Sequence, residues 1–286
     1  MTLCKKITII GMGLLGGSIA KELVEKRMAE VICGIVRRKE VIDEVTQCTG
    51  ADIVTDDVQN GIKDADIVVL AIPVDQMESV AHVVRESVKP TAIITDVGSV
   101  KGVVVEKLEK IFQDHGAYIG SHPMAGKEKS GIKHAEASLF YDATVIVTPT
   151  ESTQKEAVTI IEDFWSSLGA KVMRCNPCQH DRVVAAVSHL PHVVSAALLH
   201  TVTSVNNDTC DPFSCTGPSF RDMTRIASSS PEMWAAIMHA NKDEVIQCID
   251  ALTEDVLQLK NALINDDKKD VLDYFASAKQ EKESRP

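Results

Sequence analysis

The chain has 286 residues and a net charge of −11, a length that accommodates one full α/β core plus a second, smaller unit. The acidic balance, with no dense Lys/Arg block, argues against nucleic acid or an anionic membrane as partner, because their phosphates need a basic face. No apolar run approaches the roughly 20 residues that span a bilayer, and the N-terminus lacks a secretory pattern, so the expectation is a globular, cytoplasmic protein.

Lys6 to Leu23 reads KITIIGMGLLGGSIAKEL. Leu3, Ile7, Ile9 and Ile10 make a short buried strand that breaks into Gly11-Met12-Gly13-Leu14-Leu15-Gly16 and then into a helix. A dinucleotide site needs this order: Gly11 permits the tight turn, Gly13 lets backbone approach a pyrophosphate, and Gly16 lets helix and strand pack closely. The helix N-terminus then offers free N–H groups to the phosphates.

Val31 to Val36 is a second strand, in which Gly34 suggests close approach of backbone to something bound. NAD-type sites usually carry an acid about 20 residues past the glycines. Here that position is Val36, followed by Arg37 and Arg38. A 2′-phosphate is then not repelled and can pair with a guanidinium, which leans toward NADP and leaves NAD open; the arginines could equally begin a solvated helix.

Further strands are expected at Asp66 to Ala71, ended by Ile72-Pro73, and at Thr91 to Thr95, with a helix over Asp75 to Glu86 between them. Repeated strand and helix signals imply a doubly wound, mostly parallel sheet, whose ligands lie beyond the carboxyl ends of its strands. Pro73 and Ser99 fall at such ends and are candidates for the nicotinamide side. Ser99 could also cap a helix from Val100 to Ile111. Ala117 to Gly120 is a short strand running into Ser121-His122-Pro123, where the histidine does not easily belong to a regular element and is a candidate general base. The segment KEKSGIKHAEASLF is polar and loop-rich. Thr144 to Thr148 and Ala170 to Arg174 read as strands around a helix from Thr153 to Leu168.

After residue 176 only helical periodicity is found, over Pro177 to Ser204, Pro231 to Ala240 and Asp243 to Leu263. The expected domains are therefore a dinucleotide-binding unit over 1–173 and a helical unit over 174–286, with a frayed tail from Lys279. Pro191 should kink or break the first helical run. Ser188, His189 and His192 sit there, and the two histidines would share a face. Arg225 lies in GPSFRDMTR, a loop entering a helix. The eight cysteines do not form a disulfide framework, and the CxxC of Cys175 and Cys178 lacks a matching second pair in Cys210 and Cys215, so no metal is expected.

Taken together, GMGLLGGS, TDVGSVK, GSHPMAGKEKSG, HD with VSHLPH, and GPSFRDMTRIA resemble the prephenate and arogenate dehydrogenases in order and over nearly the whole chain. The length matches short, single-function members. The resemblance implies oxidative decarboxylation of prephenate or arogenate by hydride transfer to NAD(P). His122 would take the ring hydroxyl's proton and Ser99 would sit beside it. Arg225 would bind a substrate carboxylate. His192 would line the pocket with Ser188 and His189 close by. The helical unit would form a homodimer, with Trp234 near the partner's active site. His192 leans toward prephenate. A β-hydroxyacid dehydrogenase would be expected to use a lysine on the helix over 177–204, which has none. A dinucleotide-sensing module without chemistry is the remaining alternative.

Overall fold

A computed structural model describes residues 3–126, 129–205 and 210–285. Its chain divides into two compact units, residues 1–241 and 242–286. Among the described residues the larger unit has eight strands: β1 (Cys4–Ile10), β2 (Ala29–Ile35), β3 (Ile53–Thr55), β4 (Ile67–Leu70), β5 (Ile93–Asp96), β6 (Ala117–Pro123), β7 (Thr144–Thr148) and β8 (Lys171–Arg174). Their order is β3-β2-β1-β4-β5-β6-β7-β8. Every neighbouring pair is parallel except β6 with β7. The doubly wound expectation holds, and the antiparallel step adds two strands at one edge.

Continuous apolar runs such as IVVL in β4 are buried along their whole length, as a sheet covered on both faces requires. One face packs under α1 (Leu14–Lys26) and α6 (Lys155–Ser167), with Ile19, Leu23, Phe164 and Trp165 fully buried. The other packs under α4 (Met77–Ser87) and α5 (Gly102–Phe112), around Ala81, Val84, Leu108 and Phe112. Strand β3 and helix α3 (Val58–Ile62) were not expected from sequence, whereas α2 (Ile42–Thr49) follows the arginines, whose alternative reading is the start of a solvated helix.

Several local expectations are corrected. The crowding at Gly34 comes from the protein itself, since a Cβ there would lie 2.8 Å from the Met12 methyl carbon. Ser99 does not cap α5. That helix begins at Gly102, and its first amides are taken by a carboxylate 80 residues away. His122 lies inside a regular strand, opposite Ile146 of β7. In the loop-rich segment Ile132–His134 and Ala137–Phe140 form 3₁₀ turns, and Phe140 is fully buried; Lys127 and Glu128 of that segment lie outside the described residues.

From Pro177 the chain is helical. Pro191 does not break the run: α7 (Pro177–Val184) passes through a π turn at Ala185–His189 into α8 (Leu190–Ser204). The wider turn just before Pro191 fits a residue without an N–H and with a ring that crowds the preceding carbonyl. By length and composition this helix, Pro177–Ser204, is apolar enough to cross a membrane, with mean hydropathy 1.5 over its best window. That corrects the expectation that no apolar run comes close, because Val, Leu and Ala keep the average high while interspersed Ser, Thr and neutral His interrupt the apolar stretch without adding charge. Short helices α9 (Pro218–Thr224) and α10 (Pro231–Ala240) complete the unit.

The second unit is a pair of helices, α11 (Lys242–Ile264) and α12 (Lys268–Glu283). Asp267 caps α12 through the amides of Lys269 and Asp270, and the Tyr274 hydroxyl donates to Asp255 at 2.6 Å. The tail is thus helical to Glu283 and not frayed from Lys279; Pro286 lies outside the described residues. Leu263, Ile264, Leu272 and Phe275 are each at least 60 % exposed, so this unit carries a large apolar surface within one chain.

Candidate active site

At the carboxyl end of β1 the three glycines are required for three different reasons. Gly11 has φ +95°, and a Cβ on it would lie 2.3 Å from the Ala71 carbonyl oxygen. On Gly16 a Cβ would fall 2.0 Å from the Gly11 oxygen. Around Gly13 nothing among the described residues lies within 4 Å of that position, so the backbone there is left bare. The first turn of α1 has no side-chain cap and no acidic residue, leaving its amides and its positive dipole end to an anion. These features fit the pyrophosphate of a dinucleotide.

A recess of about 490 Å³ opens there, walled by Gly11, Met12, Gly13, Val36, Arg37 and Arg38 on one side and by Ser130–His134 on the other. Val36 is buried and its amide donates to Thr55, while Arg37 and Arg38 are exposed. Lys133, paired with Glu44 at 3.2 Å, is a further cation at this rim that sequence reasoning missed. Leu14 and Gly16 belong to α1 beneath the turn, and Ile72 packs close to Gly11. Ile72, Pro73, Leu14 and Gly16 do not line the recess.

A second cavity, of about 770 Å³, shares His134 with the first. Its wall brings together Leu15, Ser99, His122, Ser188, His192, Arg225 and Trp234. These residues come from the first turn of α1, the loop after β5, strand β6, the π turn, α8, the turn after α9 and α10. His192 stacks on Trp234, with ring centroids 3.7 Å apart, and burial lowers its pKa. Lys129 also reaches the wall.

His189 stands apart from this wall. It is fully buried, its Nδ1 faces the Asn241 amide at 3.2 Å, and its Nε2 has no hydrogen-bond partner among the described residues. Burial pushes its pKa down to about 4.

Beneath the cavity floor lies polar wiring that the sequence reading did not assign. His122 Nδ1 is 2.8 Å from His180 Nε2, and His180 Nδ1 is 2.8 Å from Asp181 Oδ1. Asp181 in turn accepts from the amides of Lys101 and Gly102, both at 2.7 Å. The Lys101 ammonium is fully buried, paired with Asp96, and donates to the Ser121 carbonyl at 2.9 Å. Asp96 also accepts from the Tyr118 hydroxyl and the amides of Gly98 and Ser121.

Burial, and after it the neighbouring His180, Lys101 and His189, hold the His122 pKa well below the ordinary histidine value. A neutral imidazole at a cavity wall near neutral pH can accept a proton. The adjacent pair His180-Asp181 was visible in the sequence only as part of a motif. Its meaning depends on contacts across 58 and 80 residues.

Comparison with known proteins identifies a family. Residues 19–174 match the family model described as prephenate dehydrogenase, nucleotide-binding domain, and residues 176–277 match the prephenate dehydrogenase dimerization domain. The cyclohexadienyl dehydrogenase of Zymomonas mobilis is 34 % identical over 282 residues, which is 98 % of this chain and 96 % of that protein. The prephenate dehydrogenase of A. aeolicus, solved with hydroxyphenyl propionate and NAD+, superimposes with a TM-score of 0.91 at 31 % identity over 98 % of both chains. The arogenate dehydrogenase of Synechocystis gives 0.83 at 27 % identity, over 98 % of this chain and 99 % of that one. With both halves of the chain matched and the cavities placed at the carboxyl ends of the strands, the chain belongs to the prephenate dehydrogenase family.

Proposed function

We propose that the two cavities form one active site for oxidative decarboxylation, with His122 as general base. The chain is an NAD(P)-dependent dehydrogenase that acts on prephenate, arogenate or both. The observation that carries the assignment of His122 is its place: a neutral imidazole shares one cavity wall with Ser99 and Arg225, and that cavity adjoins the glycine-lined recess.

Gly11 to Gly16 and the N-terminus of α1 hold the pyrophosphate, and Arg37 and Arg38 select a 2′-phosphate, so NADP is preferred. When bound, the nicotinamide supplies a hydride acceptor. His122 Nε2 takes the proton of the substrate's ring hydroxyl as the carbon bearing it loses hydride. The bond between the ring and its carboxylate then breaks, and its electron pair completes the aromatic ring as carbon dioxide leaves. The proton returns from His122 to the product oxygen, so no net proton is released. Ser99 orients the hydroxyl. Arg225 holds a substrate carboxylate as a charge-assisted pair, with Ser188, His192 and Trp234 completing the wall and His189 supporting it from behind. This assignment asks for little beyond orientation and a base.

The working division of the chain is a catalytic half ending near residue 173 and a helical half that pairs with a second copy. The apolar surface of α11 and α12 and the sparsely buried helix over 177–204 support a homodimer. A homogeneous preparation given prephenate or arogenate with NAD or NADP, followed by nicotinamide absorbance, tests the reading. Turnover should be fastest with prephenate and NADP. Dinucleotide binding without turnover in all four combinations would leave a sensing module instead.

A further inference from the structure

We propose that His180 and Asp181 are positioning residues that fix His122 in one tautomer, with its proton on Nδ1 and its lone pair on Nε2 toward the cavity. The inference rests on the reading of His122 as the base. It follows from donor and acceptor capacity alone. Asp181 receives backbone N–H groups on both of its oxygens, from Lys101 on Oδ1 and from Gly102 on Oδ2. Backbone amides can only donate, so Asp181 is an acceptor throughout. His180 Nδ1 must therefore donate to Asp181 Oδ1, which leaves Nε2 of a neutral His180 as an acceptor. His122 Nδ1 must then donate to it. The one remaining nitrogen of His122 is Nε2, and it can only receive a proton.

The arrangement also prepares for charge. When the substrate hydroxyl bond breaks and an N–H bond forms at Nε2, the imidazolium keeps its Nδ1 proton against His180. Asp181 faces the new positive charge through that ring. No proton passes along the chain, since orientation and electrostatic support suffice. Other groups facing His122 are the Lys101–Asp96 pair from the β5 to α5 segment and His189 from the π turn. Neither supplies an acceptor to His122 Nδ1. Asp181 has a second duty, because it caps α5 in place of Ser99 and so ties the loop carrying Ser99 to the helix carrying His180.

The test uses the full chain and four variants: His180→Leu, His180→Gln, His122→Asn and the double variant His122→Asn with His180→Leu. His180→Leu should lower kcat on the order of 10- to 100-fold, a part of the share of general-base catalysis, with dinucleotide Kd and substrate KM little changed. His180→Gln, whose amide can accept from His122 and donate to Asp181, should restore most of the loss. The double variant should be no slower than His122→Asn alone. Nitrogen NMR of the His122 ring should show the Nδ1–H tautomer in the wild-type protein and in His180→Gln. An Nε2–H tautomer in the wild type, or fully additive losses in the double variant, overturns the proposal. Near-normal turnover of His122→Asn would instead overturn the base assignment on which it rests, and the wild-type spectrum decides the tautomer even if His180→Leu fails to fold.

Discussion

The two ends of the cleft are made of different materials. At the dinucleotide end the working surface is backbone: a left-handed Gly11, an uncovered Gly13 and the open amides of α1. At the other end it is side chains, delivered from positions as far apart as Ser99 and Trp234. A backbone site is written in a few consecutive residues, and its tolerance is steric. A side-chain site is written across the chain, and its tolerance depends on how each group is wired behind the wall.

The sharpest way to break this contrast is at His122. His122→Asn keeps a hydrogen-bonding group and removes the basic nitrogen, so turnover should fall roughly 100- to 10,000-fold, with little change in dinucleotide affinity. Steady-state kinetics beside a cofactor titration measure both, and a parallel loss of the two would mean the ends are not separable. Next in size is the buried pair behind the wall. Lys101→Met leaves the Asp96 carboxylate buried without its cation, and breaking such a pair costs about 3–5 kcal/mol. Urea unfolding would show it, and a loss below about 1 kcal/mol, the scale of surface pairs, would contradict the burial assigned here.

At the dinucleotide rim, replacing Arg37 and Arg38 by Ala should weaken NADP tenfold or more, since a charged hydrogen bond contributes about 1.5–3 kcal/mol. NAD binding should be nearly unchanged; equal NADP binding by the variant would make the pair solvated surface only. In the second cavity Arg225→Ala should raise KM by a similar factor while kcat changes less, because a carboxylate is held in ground and transition states alike. A fall in kcat with KM unchanged would place Arg225 at the reacting bonds.

The same buried rings make stability depend on pH. His122, His180 and His189 all have lowered pKa values in the folded chain, each chiefly through burial. Below about pH 6.5 the unfolded chain takes up protons that these sites refuse, so stability falls as pH falls, by up to about 1.4 kcal/mol per unit for each histidine. The loss for His189 should level off near pH 4. Flat stability between pH 6.5 and 5 would show that the three rings are hydrated in solution.

These differences also explain what could be read from the sequence. The glycine turn, the main strands and the helical second half were legible because their signals are local. Strand β3 and helix α3 are only three and five residues long, too short to establish a period. His122 looked like a turn residue because its partner strand, β7, is joined to it only by antiparallel pairing after a long excursion. Ser99 sat where a cap belongs, and nothing nearby showed that Asp181 would take the position from across the fold. Ser99 and His122 were singled out by their places at strand ends, and the roles of Arg225, His192 and Trp234 came through family motifs, whereas the residues behind the wall, His180, Asp181 and Lys101, needed the three-dimensional contacts.

The π turn at Ala185–His189 has a consequence for descent. A turn of this kind holds one residue more than an α-helical turn, so it can be gained or lost by a single-codon change without severing the helix. Because successive helical residues are rotated by about 100°, losing one there would swing His192 away from the Trp234 ring on which it stacks while leaving Asp181 and His180 upstream in place. The extra residue acts as a register setting between the part of the helix that carries His180 and Asp181 and the part that carries His192, so under the proposed roles the substrate pocket can change at that point without disturbing the residues behind His122.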